Sequence, residues 1–145
     1  MSRWLEVEVL GDIADDGLDD ADRQRFGFNI VITAADVSAD NPIDEEIATL
    51  LIAASVVTAW GTDLFGRSKS NIPTGDGPYV SIMLTGGPAP LRTHNAGRAG
   101  RVAYRRLTAQ VVARAASSTT AYTTAQAAYT ALVPVRNTTV APTSP

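Results

Sequence analysis

The chain has 145 residues, a formal net charge of −3 and 45% hydrophobic residues. This length favours one domain with a single buried core, and the hydrophobic content excludes disorder of the whole chain. Because the chain contains no cysteine and only one histidine, His94, it excludes disulfides, iron–sulfur clusters, cysteine-bound zinc and any zinc site built from several histidines of one chain.

The first 40 residues are predicted to form two strands joined by an acidic loop. Apolar and polar side chains alternate over residues 4–10 and again over residues 26–33, which is the pattern of half-buried strands. Between them, residues 11–24 contain six aspartates and two glycines, a composition typical of a loop. This loop fails the EF-hand calcium pattern, since Ala14 stands at a ligand position and Arg23 where the glutamate belongs. A solvated acidic loop is the favoured interpretation.

Residues 41–78 are predicted to hold the first helix and a long connection. Asn41 suits an N-cap, Pro42 suits the first helical position, and apolar residues then recur at helical spacing. This pattern predicts a helix that runs to about Ala59 and ends before Gly61. The residues that follow contain short apolar pieces between residues typical of turns.

Two further strands and a second helix are predicted in the rest of the core. Residues 79–84 and 102–115 alternate in the manner of strands. A second helix is predicted over residues 119–132, with Ser117 or Ser118 as its cap. Alanines along one stripe of this helix indicate close packing against a sheet.

The order of these elements predicts an α+β fold: a two-layer domain with a mainly antiparallel sheet and two helices packed on one face. The chain is interpreted as a single domain in three parts. Residues 1–40 form the N-terminal strand pair with its acidic loop, residues 41–132 form the α+β core, and residues 133–145 form an extended C-terminal tail.

Charge is distributed unevenly along the chain. Residues 1–66 contain fourteen acidic and three basic residues, whereas residues 67–145 contain one acidic and nine basic residues, three of them in a cationic loop over 91–101. This polarity permits attraction between the halves of one subunit, a head-to-tail contact between identical subunits, or binding of nucleic acid by the basic half. A solvated surface without a partner is the plainest interpretation. The candidate contact residues are Asp15, Asp16, Asp19 and Asp20 on the acidic side and Arg92, Arg98, Arg101, Arg105 and Arg106 on the basic side.

No motif indicates an enzyme. The sequence lacks the phosphate-binding loop, the dinucleotide-binding pattern and the nucleophile elbow. Neighbouring carboxylates such as Glu45 and Glu46 diverge instead of converging on a substrate, and His94 is interpreted as an exposed loop residue. The sequence thus predicts no catalytic residue, no metal site and no cofactor. Without an apolar run of 18 residues no membrane span is expected, and Glu6 and Glu8 argue against a signal peptide.

Three segments of the core form a distinctive series: a strand that ends in Gly-Gly-Pro, a longer strand, and an alanine-rich helix that begins at small residues. The positions that carry it are Tyr79, Val80, Ile82, Thr85, Gly86, Gly87 and Pro88, then Gln110, Val111, Val112 and Arg114, then residues 118–132. Together with the helix before them, these segments resemble the tail terminator proteins of long-tailed bacteriophages, also called tail completion or minor capsid proteins. The resemblance spans about 60% of the chain.

The resemblance implies a structural virion protein that forms a ring, typically a hexamer, on the head-proximal end of the tail tube. Such a ring stops growth of the tube and offers a surface to the head connector. The implied partners are further copies of the chain, the tail tube protein and a stopper or adaptor protein of the connector, with DNA passing through the lumen. The implied location is the tail and neck of the virion, after assembly in the host cytoplasm. A head-side adaptor or stopper and a nucleic-acid-binding accessory protein stay open as alternatives.

Overall fold

The computed structural model describes residues 3–19, 22–35, 42–67, 69, 71–88 and 104–145. In these ranges the chain forms a mixed α+β fold with a curled six-stranded sheet and two helices. The strands are β1 (Arg3–Leu18), β2 (Gln24–Ala34), β3 (Leu64–Phe65), β4 (Tyr79–Gly86), β5 (Arg105–Ala115) and β6 (Thr138–Val140), and the helices are α1 (Asp44–Ala53) and α2 (Ser118–Leu132).

The sheet is built around the pairing of β2 with β5. Its strand order is β3-β4-β5-β2-β1-β6, and β3 and β4 are its parallel pair, the others being antiparallel. Strands β2 and β5 pair without a register shift from Gln24 opposite Ala115 to Ala34 opposite Arg105. This register fixes which residues lie at each end of the sheet.

The expectation of an acidic loop over residues 11–24 is wrong, because β1 continues through most of it. The strand pairs with β2 as far as Leu18, with register shifts between Leu10 and Ala14 and between Asp15 and Gly17. Backbone hydrogen bonds do not depend on side-chain type, and bulges let the strand twist while the carboxylates of Asp12 and Asp15 stay in solvent. The connection shrinks to a tight turn, closed by a bond from the Asp19 N–H to the Arg23 carbonyl (2.9 Å).

Alternate residues of the strands and one stripe of each helix form the core. In the central pair, Ile30 lies opposite Ala109, and both are buried. The stripe of α2 predicted from its alanines is buried as expected, and its N-cap is Ser117, whose hydroxyl accepts a bond from the Thr120 N–H (3.1 Å). The helix stripes contribute Ile47, Leu51, Ala125, Ala128 and Leu132 to the same cluster as the strands. We call the opposite side of the sheet, which carries the alternate residues Arg25, Asn29, Tyr79, Gln110 and Arg114, the polar face.

The first helix is shorter than its apolar pattern predicts. It ends at Ala53, not near Ala59, because Ser55 adopts the left-handed conformation (φ 59°). The Ser55 and Val56 N–H groups then bond back to the carbonyls of Ile52 and Leu51 (both 3.0 Å), which is a Schellman motif. Serine is an uncommon residue for that position, so residue type alone does not signal the end of the helix. The helix also begins at Asp44, after Pro42, and Asn41 lies outside the described residues.

The C-terminal residues bond to two other parts of the fold, strand β1 and the region around the start of α1. Strand β6 pairs with the start of β1, and the Val7 N–H donates to the Val135 carbonyl (2.9 Å). Further on, the Thr143 N–H donates to the Glu45 carbonyl (3.1 Å), and the Trp60 indole donates to the Thr143 carbonyl (2.7 Å). The stretch predicted as an extended tail thus covers the first turn of α1.

Three buried carboxylates begin α1. Asp44, Glu45 and Glu46 are at most 5% exposed. The Arg67 guanidinium lies 2.9 Å from the Asp44 carboxylate and 2.6 Å from that of Glu45. Burial raises the pKa of Asp44 above its ordinary value, and the attraction of Arg67 offsets this only in part.

The raised pKa of Asp44 predicts a pH-dependent effect of the Asp44→Asn substitution. A carboxyl whose pKa is higher in the folded chain contributes most stability below its unfolded-state pKa, and this contribution is lost as the pH rises through the folded-state pKa. The asparagine does not titrate. We therefore expect the unfolding free energy of the variant, relative to the parent, to increase between pH ~4 and pH ~7. Urea unfolding across this range measures it, with exposed Asp12→Asn as the matched control. A difference that stays constant or decreases would contradict the assignment.

Candidate interaction surfaces

The five candidate contact residues that the structure describes lie toward opposite ends of the sheet. Asp15 pairs with Phe26 at the turn between β1 and β2, whereas Arg105 and Arg106 pair with Ala34 and Thr33 at the other end. We call these the hairpin end (residues 12–19, 22–25 and 113–115) and the arginine end (residues 86–88 and 104–106). Ala113, which lies in the row of Asp15, is seven positions along β5 from Arg106, or about 24 Å at the usual antiparallel rise.

This separation bears on one interpretation of the charge asymmetry, attraction between the two halves of one subunit. Such attraction does occur elsewhere in the fold, because Arg67 pairs with Asp44 and Glu45 and Arg114 lies 3.6 Å from Asp19. Asp15, Asp16 and Asp19 do not meet Arg105 or Arg106 within one copy, because the β2–β5 register holds them at opposite ends. Attraction between the two predicted sets inside a single subunit is therefore excluded for these five residues. The other predicted contact residues, Asp20, Arg92, Arg98 and Arg101, lie outside the described part of the chain.

The hairpin end is shaped by hydrogen bonds to its own aspartates. Asp15 accepts bonds from the Gly17 N–H (2.7 Å) and the Gln24 amide (2.5 Å). Asp19 accepts bonds from the N–H and Nε of Arg23 (2.9 and 2.8 Å). These bonds fix the turn and leave Asp12, Asp15 and Asp22 exposed to solvent. The exposed carboxylates are the groups at this end that a partner would meet.

Two arginines that the sequence analysis did not identify as contact residues bind the loop of residues 73–75 to the hairpin end. Arg23 donates to the carbonyls of Thr74 and Gly75 (2.6 and 2.9 Å), and Arg114 donates to that of Pro73 (2.6 Å). Arg114 also lies 3.6 Å from Asp19, and its guanidinium stacks 5.3 Å above the Tyr79 ring. This cluster forms only through the register of β4, β5 and β2. Sequence reasoning missed it because no single segment of the chain reveals that register.

Burial of the Arg114 guanidinium, together with the nearby positive charges of Arg23 and Arg25, lowers its pKa, and Asp19 compensates only in part. The hairpin end therefore carries carboxylates on its rim and a partly compensated positive cluster on the polar face. The net charge of the N-terminal half conceals this arrangement.

The arginine end presents a different surface. Arg106 is exposed, and its row on the polar face continues through Thr33 to Glu6 on β1. Pro88 and Tyr104, the residues that flank segment 89–103 in sequence, belong to this end, where the Tyr104 ring packs edge-on against Trp4 at 6.0 Å. Arg92, Arg98 and Arg101 belong to segment 89–103, which lies outside the described residues.

Neither metal-binding clusters nor membrane-spanning helices are found in the described ranges. They hold no group of three or more His, Asp or Glu side chains that could bind a metal ion. Within the same ranges, neither helix has the length and apolarity needed to cross a bilayer. No protein-family model matches the chain, and searches of curated proteins and of solved structures found no match either.

The packing of the hairpin end on the polar face predicts that Gly27→Ala is destabilising. A Cβ at Gly27 would lie 2.7 Å from the Asp16 carboxylate and 2.8 Å from the Val111 carbonyl oxygen, so backbone would have to move. We expect a loss of about 1–3 kcal/mol, as for other overpacked sites. Denaturant unfolding measures it, with the exposed Asn29→Ala on the same strand as control. If Gly27→Ala were as stable as the parent, the hairpin end would not pack closely against β2 at Gly27.

Proposed function

We propose that this chain is a non-enzymatic structural subunit of a bacteriophage virion: a tail terminator that forms a ring, caps the tail tube and joins it to the head connector. The observation that carries the proposal is the position of the acidic and basic residues at opposite ends of one sheet, where Asp15 and Arg106 lie in rows about 24 Å apart. The resemblance of residues 44–132 to tail terminators supplies the biological setting.

A ring needs a subunit with two different, complementary surfaces. When a surface on one copy binds another surface on the next, the contact is heterologous, and it closes into a ring if the rotation between copies allows. Exposed Asp12 and Asp15 at the hairpin end and Arg106 at the arginine end supply opposite charges on separate surfaces. We propose that the hairpin end of each copy meets the arginine end of its neighbour, and that six copies close the circle.

We further propose that the subunit has two layers, with both helices on the core face of the sheet. In support, the buried stripes of α1 and α2 belong to one cluster with alternate residues of β1, β2, β4 and β5. The polar face then stays open, with Asn29 and Met83 exposed along it. In a ring this face is available to the tail tube protein, to a stopper or adaptor of the connector, or to DNA in the lumen.

The proposal predicts that self-association of the purified chain weakens with salt. Charge attraction across a solvent-accessible contact is screened over about 10 Å at 0.1 M salt, and over less at higher salt. Sedimentation velocity at low and high salt measures the effect, with and without tail tube protein. A monomer under all four conditions would contradict the ring. A DNA affinity that falls steeply with salt, in a chain that does not self-associate, would favour the nucleic-acid-binding alternative.

The proposal also predicts that Arg106→Glu weakens self-association roughly tenfold while the chain stays folded, because the reversed charge repels the neighbour's hairpin end. The matched control is Arg136→Glu, since Arg136 is also highly exposed but lies outside the arginine end, 3.9 Å from Glu6. Sedimentation equilibrium gives both association constants. Equal effects of the two substitutions would show that Arg106 is not a contact residue.

A ring of this kind also suits a head-side stopper or adaptor. Infection with a phage that lacks the gene separates these roles. Loss of a terminator gives overlong or unjoined tails, whereas loss of a stopper gives heads that leak DNA.

A further inference from the structure

One edge of the sheet is only partly covered. Strand β3 pairs with Val80 and Ser81 of β4, and among the described residues no strand lies beside β4 beyond them on this side. The Val80 N–H points to this outer side, since it donates to the Asp63 carbonyl (2.9 Å). Alternate residues of a regular strand direct their N–H and C=O groups to the same side, so those of Leu84 also point outward. The backbone of Leu84 is therefore placed to pair with a further strand.

This edge lacks the features that usually prevent an open strand from pairing with another chain. Such features are charged residues, proline and bulges. Ile82, Met83 and Leu84 are uncharged, and they pair with β5 in a regular register. By contrast, the part of β1 that β6 does not cover has two register shifts and exposes Asp12 and Asp15. The sheet thus protects one edge and leaves a short stretch of the other able to pair.

A groove of about 310 Å³ lies beside this open stretch. Its wall includes the apolar side chains of Phe65, Ile72 and Met83, and Met83 is 61% exposed. Of the described residues that line the groove, Arg67 alone carries a charge, and its guanidinium is already paired with two carboxylates of α1. The groove therefore favours an uncharged, apolar side chain.

The size of the open stretch limits what can bind to it. Three residues of a strand span about 10 Å. Together with the groove they offer much less area than the roughly 800 Å² that each partner buries in a stable interface between folded proteins. The edge therefore suits a short extended segment and not the face of a second folded domain.

We propose that a short, uncharged segment of a partner protein adds to β4 as an antiparallel strand. One residue of the segment exchanges both backbone hydrogen bonds with Leu84, and its neighbour inserts an apolar side chain into the groove beside Met83. The antiparallel direction lets a single residue satisfy both outward groups of Leu84. The site is independent of the proposed ring, because residues 82–84 belong to neither the hairpin end nor the arginine end.

The test is a nuclear magnetic resonance titration of the full chain with the peptide acetyl-Thr-Val-Leu-Val-Thr-amide. We expect the Leu84 amide to exchange rapidly with solvent in the free chain, and to shift saturably and exchange more slowly when the peptide binds. N-methylation of the first valine removes the donor to the Leu84 carbonyl and should weaken binding about fivefold, the worth of one hydrogen bond. N-methylation of the leucine is the matched control, because the N–H of that residue points away from β4 and its loss should leave the affinity unchanged.

Two variants of the protein place the same charge at different exposed positions of one row on the polar face. Met83→Glu removes an apolar wall of the groove and is expected to abolish the saturable shift, whereas Asn29→Glu, two strands away, leaves it unchanged. Four results would overturn the proposal: a Leu84 amide already protected from exchange in the free chain, no saturable shift at Leu84, N-methylation of the leucine as harmful as that of the valine, or binding that persists in Met83→Glu.

Discussion

The antiparallel pairing of β2 with β5 is the constraint on which the rest of the structure depends. Eleven consecutive residues of each strand pair without a shift, and their buried alternate residues line the core against the stripe of α2. A slip of one residue would turn every one of these side chains to the polar face, so the apolar pattern enforces the register. The same register sends the acidic turn to one end of the sheet and Arg105 and Arg106 to the other.

The periodicity of apolar residues predicted those strands and helices in which burial of side chains determines the secondary structure. Strands β2, β4 and β5 and helix α2 lie close to their predicted bounds because each alternates or repeats strongly. Prediction failed where backbone bonding outweighs composition. Strand β1 extends through an aspartate-rich stretch because β2 offers it a partner, and α1 ends at Ala53, two residues before left-handed Ser55, despite the apolar residues beyond it. The cluster of Arg23, Arg25 and Arg114 was missed because it combines two distant segments of the chain, and only the register of β2 and β5 brings them together.

Electrostatics and fold are connected through this cluster. Within the hairpin end, arginines fasten the 73–75 loop and the turn to the polar face, while exposed aspartates stay on the rim. The rim and the polar face can therefore serve different partners. The rim supplies the charge proposed for contact between copies. The net charge of −3 does not reveal this arrangement, because it averages over both ends.

The most direct measurement of head-to-tail assembly uses two charge-reversed proteins and their mixture. One carries Asp12→Arg and Asp15→Arg and so has two positive ends, and the other carries Arg105→Glu and Arg106→Glu and so has two negative ends. Each alone should stay monomeric in native mass spectrometry, because like charges would meet at every contact. Mixed in equal amounts, they should form closed rings with an even number of alternating copies. Rings from either protein alone, or a mixture that stays monomeric while both proteins remain folded, would contradict assembly through the two ends of the sheet.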